Sequence, residues 1–418
     1  NPYLHYLLGR QFRWGIVTGL RVGGDSRLEL SKKIPILPAS FLTLNLCLFS
    51  PEVNMIKDIE ISNFRCFEHT KIEGFERVNL IGGKNNSGKT ALLEAIFLYS
   101  YPYPNTIHPY IRGIIRRQSL AVVQAVPKNA WDNLLFNLDR ENIIELKGSQ
   151  SNQGDKLVKI SISDSLKDSV LGISEDLQKL YDFIAKNKSV ISILNIHTSF
   201  DHDNDSNDGQ LNYFLIASSE GILALPDPGD EEPVIIAASV NKSLEELSES
   251  YTKIVFNEQE EEVLKALQIL DPSIEKIESF FLGEPNLYLK RKERKRLPIS
   301  LFGEAINRLI EMIFALLINP KKIIFIDEIE NGIHYTAYPD IWKTLFRLAI
   351  ELDSQIFATT HSLEMIQAFA DVGLEYYPEQ GAYFELARSP RTDKIIGIKR
   401  QLSTLEYALK HGNEVRGE

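Results

Sequence analysis

Cysteine is nearly missing from this chain: Cys47 and Cys66 are the two in 418 residues. Two thiols cannot build a disulfide framework or a four-cysteine zinc site, and their scarcity fits a reducing compartment. A membrane-length hydrophobic run is missing too. The longest apolar stretch, residues 34–49, is shorter than the roughly 20 residues a membrane helix needs, and Pro35 and Pro38 interrupt it. It follows Lys32 and Lys33 as a secretory signal core would, but no clear cleavage-site chemistry accompanies it. Positive charge is in deficit, with 46 Lys and Arg against 57 Asp and Glu, a net −11. That balance excludes a protein that coats nucleic acid or membrane with its whole surface, and leaves room for a local basic patch. No internal repeat is visible, nor a heptad run long enough for a coiled coil. What is there is an ordinary folded composition, 44% hydrophobic and 25% charged. The length suits one large domain with an insertion, or two domains. The expectation is a cytoplasmic protein with no membrane contact.

Residues 1–54 hold six Lys and Arg against three Asp and Glu, opposite in sign to the rest, and better-patterned text opens at Met55. Residues 1–54 are therefore read as an extension, with Met55 as the natural start. From Met55, short runs alternate apolar and polar residues and are rich in Ile, Val and Phe, as half-buried strands require. Residues 90–100, TALLEAIFLYS, form an unbroken helical run without Gly or Pro. Between 140 and 297, strand-like pieces alternate with polar loops and then give way to helical runs over 244–270, which reads as an inserted α+β region. Its loop DHDNDSNDG, residues 201–209, has the carboxylates of a calcium loop but lacks the Gly and terminal Glu an EF-hand needs, so a solvated turn is the better reading. From residue 298 the pattern predicts a helix over 304–318, a strand over 323–326, a helix over 341–352 and a strand over 355–359.

Three motifs carry chemistry. Gly83-Lys84-Asn85-Asn86-Ser87-Gly88-Lys89-Thr90 satisfies G-x-x-x-x-G-K-[ST] between a predicted strand, 78–81, and a predicted helix. In such a loop the backbone N–H groups turn inward around phosphates, Lys89 reaches the β and γ phosphates, and Thr90 supplies a Mg²⁺ ligand. The second motif is the run Ile323-Ile324-Phe325-Ile326 followed by Asp327-Glu328. Its apolar residues suit a buried parallel strand, whose C-terminal end is where α/β sheets place ligands. Asp327 would hold Mg²⁺ and Glu328 would deprotonate the attacking water; the alternative is an acidic cap on the next segment. Third, His361 follows the strand 355–359, where it could report the γ-phosphate or serve a structural role.

With these residues in view, the chain resembles the ABC-type ATPase heads of the SMC and OLD (overcoming lysogenisation defect) class, within the AAA-family ATP-binding proteins. The matching text is IEISNFRCFEHTKIEGFERVNLIGGKNNSGKTALLEAIF, PISLFGEAINRLI, KKIIFIDEIENGIHY, QIFATTHSLEMIQAF and the tail LEYALKHGNEVRG. The resemblance implies an α/β P-loop NTPase of ABC/SMC-head type, in two lobes with an inserted α+β region. The N-terminal part of the head would be 55–139, the insertion 140–297, and the C-terminal part 298–418. It also implies ATP and Mg²⁺ as cofactors and a homodimer closing on two ATP molecules, each held by the phosphate loop of one copy and the signature loop of the other. In that scheme Arg65 approaches the nucleotide phosphates; the residues alone leave a surface ion pair equally open. The signature loop would be Ser300-Leu301-Phe302-Gly303-Glu304-Ala305, where Ala305 departs from the usual Gly. Ala305 is neutral if that position has φ below zero, and disruptive if it needs φ above zero. Gln118 and Gln124 are both candidates for a Q-loop residue.

Related OLD-like proteins carry a TOPRIM nuclease after the head, and the short text after His361 leads to the expectation that none is fused here. A separately encoded effector, nuclease or toxin, and a role in anti-phage defence or genome maintenance follow from the resemblance. The basic run Lys290-Arg291-Lys292-Glu293-Arg294-Lys295-Arg296 is a candidate DNA contact, against the reading of a solvated loop. Two function classes stand: a hydrolysing ATPase switch, and an ATP-sensing scaffold with little turnover. A GTPase is disfavoured because no Asn-Lys-x-Asp motif occurs; Asn241-Lys242 continues into Ser-Leu.

Overall fold

Short alternating runs near the start of the patterned text pair with one another. β1 (Asp58–Phe64) and β2 (Phe67–Glu73) form an antiparallel hairpin with Asp58 opposite Glu73 and Phe64 opposite Phe67. The computed structural model describes residues 53–104, 129–152, 154–164, 192–201, 211–218, 221–225, 234–236, 242–281 and 283–411. Residues 1–52 of the extension, Cys47, the glutamines Gln118 and Gln124, and residues 202–209 of the polar loop lie outside the described residues.

The hairpin continues through β4 (Ile144–Gln150), β5 (Gly154–Ser163), β6 (Ser192–Asp201), β7 (Leu211–Ser218) and β8 (Gly221–Leu225) into a seven-stranded sheet of order β2-β1-β4-β5-β6-β7-β8. Its neighbours are antiparallel throughout.

A second sheet is mostly parallel. It contains β3 (Val78–Gly83), β9 (Val234–Ile236), β13 (Ile323–Ile326), β14 (Gln355–Thr359), β15 (Gly381–Arg388) and β16 (Ile395–Arg400), in the order β16-β15-β3-β14-β13-β9. Only β16 runs antiparallel to its neighbour. Its strands are apolar on both faces because both faces are covered. Val78, Leu80, Ile324, Ile326, Ile356 and Ala358 join one core cluster, while Ile81, Ile323, Phe325 and Phe357 join the other.

Helix α1 (Lys89–Ser100) fills the second cluster, between the two sheets. Its sequence is apolar nearly all round, and ten of its twelve residues are buried, which is how a helix without a polar face must sit. The first cluster is covered by α4 (Glu304–Ile318), α5 (Tyr338–Glu351) and α6 (Leu363–Tyr376). Packed into it are α2 (Leu244–Phe256), α3 (Glu260–Leu270) and the small antiparallel sheet β10 (Ile274–Phe281), β11 (Pro285–Arg291) and β12 (Leu297–Pro298). A last helix, α7 (Leu402–Lys410), follows β16.

The elements within 140–297 join sheets and a core cluster that residues outside this range also build. β4 to β8 extend the sheet that β1 and β2 begin, β9 adds the edge of the parallel sheet beside β13, and α2, α3 and β10 to β12 pack around α4. A strand must satisfy its backbone edges, and the partner that does so is not written in its local pattern. The α/β fold with a P-loop is as expected, and its site lies at the C-terminal ends of β3, β13 and β14.

Candidate functional site

The strand-turn-helix at 78–100 forms as its residues dictate. β3 ends in Gly82-Gly83, and a Cβ at Gly83 (φ 150°) would lie 2.5 Å from Ser87 Oγ and 2.6 Å from the Leu386 carbonyl. Asn86 and Gly88 take left-handed conformations, φ 61° and 94°, which Asn tolerates and Gly adopts freely. Gly88 caps α1 and has no side chain with which to hydrogen-bond the helix N-terminus. The first N–H groups of α1 are thus left for a ligand, with the positive end of the helix dipole behind them.

Lys89 lies across this loop. Its Nζ donates to the carbonyls of Gly83 and Lys84, both at 2.8 Å. Burial pushes its pKa down to about 8, against the pull of Glu330, Asp327 and Glu328. Ser87 Oγ is buried with no hydrogen-bond partner among the described residues. A glycine cradle, an uncapped helix start, a spanning ammonium and an orphaned hydroxyl fit a polyphosphate.

The carboxylates come from the other end of the chain. β13 delivers Asp327, 7% exposed, against Thr90, whose Oγ1 is 3.4 and 3.5 Å from its two oxygens. Thr359 on β14 donates to Asp327 Oδ1 at 2.6 Å, and its Oγ1 accepts from the Glu328 N–H at 2.8 Å. Burial, with the adjacent Glu328 charge, holds Asp327 above the usual carboxylate range despite the hydrogen bonds from Thr359 and Thr90. A buried carboxylate and a hydroxyl at this spacing are hard oxygen donors of the kind Mg²⁺ takes.

Glu328 is 37% exposed at its side chain and lies 3.6 Å from His361 Nε2 through Oε1. Thus Lys89, Thr90, Asp327, Glu328 and His361 converge on one site, with Gly83, Ser87 and Gly88 shaping its floor and Asn85 and Asn86 exposed at its rim.

Four partners were not read from the sequence. Thr359 ties the two strand ends together. Glu330 Oε1 accepts from the His361 N–H at 2.6 Å. Asn331 Nδ2 donates to Glu328 Oε2 at 2.8 Å. Arg308, buried on α4, donates to the Asp327 carbonyl. The polar character of Glu330 and Asn331 directly after Asp327-Glu328 was the available signal.

Arg65 has its guanidinium turned inward. Its side chain is 9% exposed and its Nε pairs with the fully buried Glu94 of α1 at 3.0 Å, while Nη1 donates to the Asn133 carbonyl at 2.7 Å. Left-handed conformations at Asn63 and Arg65 (φ 58° and 53°) fold the turn back so that the guanidinium enters the protein beside α1. It is a buried ion pair, and the reading of an exposed one is corrected.

Ser300 and Gly303 stand on an exposed turn. Ile299–Leu301 is a single 3-10 turn and Gly303 caps α4 with φ −62°, its Cβ position open to solvent. Ala305 lies in the first turn of α4, where φ is negative, so the residue is conformationally neutral there. The basic run 290–296 is the end of β11 and the turn into β12. Lys290 pairs with Glu275 at 3.4 Å, Arg291 with Asp271 at 2.6 Å and Arg296 with Glu278, while Lys292, Arg294 and Lys295 are exposed.

Among the described residues no helix is long and apolar enough to cross a membrane. Residues 78–366 match the family model described as "AAA domain, putative AbiEii toxin, Type IV TA system". A protein of Helicobacter pylori named "ATP/GTP phosphatase" is 29% identical over 340 residues, covering 76% of this chain and 88% of that protein. A "DNA double-strand break repair Rad50 ATPase" of Methanopyrus kandleri is 39% identical over 72 residues, 17% of this chain and 8% of that one. Among solved structures, an SMC head bound to the C-winged helix domain of ScpA superposes with a TM-score of 0.44 and 12% identity, over 85% of this chain and 99% of that chain. The expectation of an AAA-family ATP-binding protein, drawn from the sequence, is borne out by the family match.

Proposed function

The chain belongs to the AAA-domain family whose model spans residues 78–366, and on that premise we propose that it is a Mg²⁺-dependent ATPase that works as a homodimeric switch. The observation that carries this reading is the convergence of Lys89 and Thr90 with Asp327, Glu328 and His361 at the ends of three neighbouring strands. Gly83, Ser87, Gly88 and Lys89 would hold the phosphates, and Thr90 with Asp327 would hold the metal. Bound Mg²⁺ would offset the charge that builds on the phosphate oxygens during transfer. Lys89 supplies a fixed positive charge from a partly buried position, where it counts for more than in water. Glu328 accepts the proton of the attacking water, and His361, anchored through its backbone to Glu330, lies where it can sense the terminal phosphate.

The exposed turn with Ser300 and Gly303 would complete the nucleotide site of a second copy. The family description, with its reference to a toxin of a type IV toxin–antitoxin system, supports a setting in defence or growth control. There a separately encoded effector or a DNA contact through 290–296 would read the nucleotide state, in the cytoplasm.

Steady-state ATP and GTP hydrolysis, with and without duplex DNA, tests the reading alongside Glu328→Gln. Mg²⁺-dependent ATP turnover that falls at least about 100-fold in the variant is expected. ATP binding without turnover in the unmodified chain would instead establish the sensor scaffold, and a preference for GTP would overturn the ATP assignment.

A further inference from the structure

Glu328 is an unusual residue to find at a site that needs a well-aimed carboxylate. Its backbone is left-handed, with φ 48°, and its side chain is more than a third exposed. A glutamate so placed has three rotatable bonds and several accessible rotamers. The backbone is fixed: the Glu328 N–H donates to Thr359 Oγ1 at 2.8 Å, and the Asn331 N–H donates to the Glu328 carbonyl at 3.1 Å, closing a turn. The side chain is fixed by that same turn, because Asn331 Nδ2 donates to Glu328 Oε2 at 2.8 Å. An ionised carboxylate can only accept, so the amide must present its NH₂ group.

The two carboxylate oxygens are therefore not equivalent. Oε2 is taken up by the amide, and Oε1 is directed toward His361, 3.6 Å from Nε2. That separation is longer than a direct hydrogen bond. We propose that Asn331 is a positioning residue for hydrolysis: its amide holds Glu328 Oε2 so that Oε1, on the His361 side, receives the proton of the attacking water. This rests on the reading of Glu328 as the base. Glu330 acts on the opposite wall by holding the His361 backbone, so residues 328, 330 and 331 fix both sides of the gap.

The test compares kcat and KM for ATP, with a separate ATP Kd and a thermal melt for each protein, across Asn331→Asp, Asn331→Gln and Glu328→Gln. Asn331→Asp keeps the shape but removes the donor and sets a second negative charge against Glu328; kcat is expected to fall about 10–100-fold with Kd changed less than about twofold. Asn331→Gln keeps a donor on a longer arm and should retain more of kcat than Asn331→Asp. A residue that merely shapes the turn gives the reverse order, since Asp serves turns as well as Asn and Gln does not. That reverse order, or a kcat for Asn331→Asp within about twofold of the unmodified protein, overturns the assignment while leaving Glu328 in place if Glu328→Gln is inactive. Retained turnover in Glu328→Gln, or none in the unmodified chain, overturns the base reading and this assignment together.

Discussion

The phosphate loop and the turn at 300–305 are both short glycine-containing segments that open a helix, yet the chain encloses one and leaves the other bare. Around the first, a Cβ on Gly83 would strike Ser87 and the Leu386 backbone, a Cβ on Gly88 would press on Cys66 and Phe67, and the helix beyond is buried between two sheets. Around the second, a Cβ on Gly303 would meet nothing within 4 Å, and Leu301 is 69% exposed. The difference teaches that one copy suffices to build the phosphate cradle, whereas the second turn presents its surface outward. The proposed homodimer gives that surface its use.

Complementation breaks or sharpens this contrast most strongly. Lys89→Ala should empty the cradle of its own copy, and Gly303→Glu should set a carboxylate against the phosphates held by the other copy; each alone is expected to lower ATP turnover at least about 100-fold. Mixing the two variants creates heterodimers with one intact composite site, so turnover should reappear. Full activity of Gly303→Glu alone would show that a single copy is sufficient.

A smaller effect is expected from pH. With Lys89 pushed down to about 8, the empty cradle loses its ammonium charge as pH rises through that value, while bound phosphate favours the charged form. ATP binding should therefore take up protons near pH 8, and affinity should fall by about tenfold between pH 7 and pH 9. Calorimetry in buffers of different ionisation enthalpy checks this.

The far end of α1 should respond in stability. Lys156 on β5 is buried, with Nζ 3.3 Å from the Ser100 carbonyl and lying over the Tyr99 ring at 5.2 Å. Burial pushes its pKa from 10.5 down to about 7. The unfolded chain binds the extra proton between those values, so Lys156 makes stability rise with pH from about 7 toward 10. Lys156→Met should remove that slope and melt a few degrees higher than the unmodified protein at pH 6.5, with the gap closing by pH 9. Smallest of all, Ala305→Gly should leave turnover within about twofold, because the position is helical and makes no demand for a glycine.

The cradle was legible because its chemistry and its geometry are local: eight consecutive residues supply the glycines, the lysine and the helix start. β13, β14 and α4 were legible to the residue, since a short apolar run bounded by polar, charged or turn residues leaves a buried strand little freedom, and an unbroken apolar periodicity does the same for a helix. Glu330 and Arg308 were not, because each acts on an atom that tertiary folding brings near; Asn331 acts on Glu328 through a local turn that its residue type alone did not single out. The ion pair of Arg65 was read as exposed for a related reason. Its polar neighbours suggest exposure, but the positive φ at Asn63 and Arg65 that turns it inward toward Glu94 leaves no mark in residue type beyond the Asn. The middle third was readable as strands, while its partners were not, since a strand's pattern names its buried face and not the strand beside it.

The parallel sheet has a consequence for how the protein comes into being. β3, which carries the phosphate loop, is bonded on one side to β14 and on the other to β15. The first of these begins at Gln355, far along the chain. At about 5–20 residues per second, a ribosome leaves both edges of β3 without their partners for roughly 15–60 s. Throughout that interval the future nucleotide site is an apolar strand with open edges. ATP cannot assist its closure then, for the carboxylate that faces Thr90 arrives only with residue 327. The demand on chaperones should accordingly fall on nascent chains between the synthesis of β3 and that of β15.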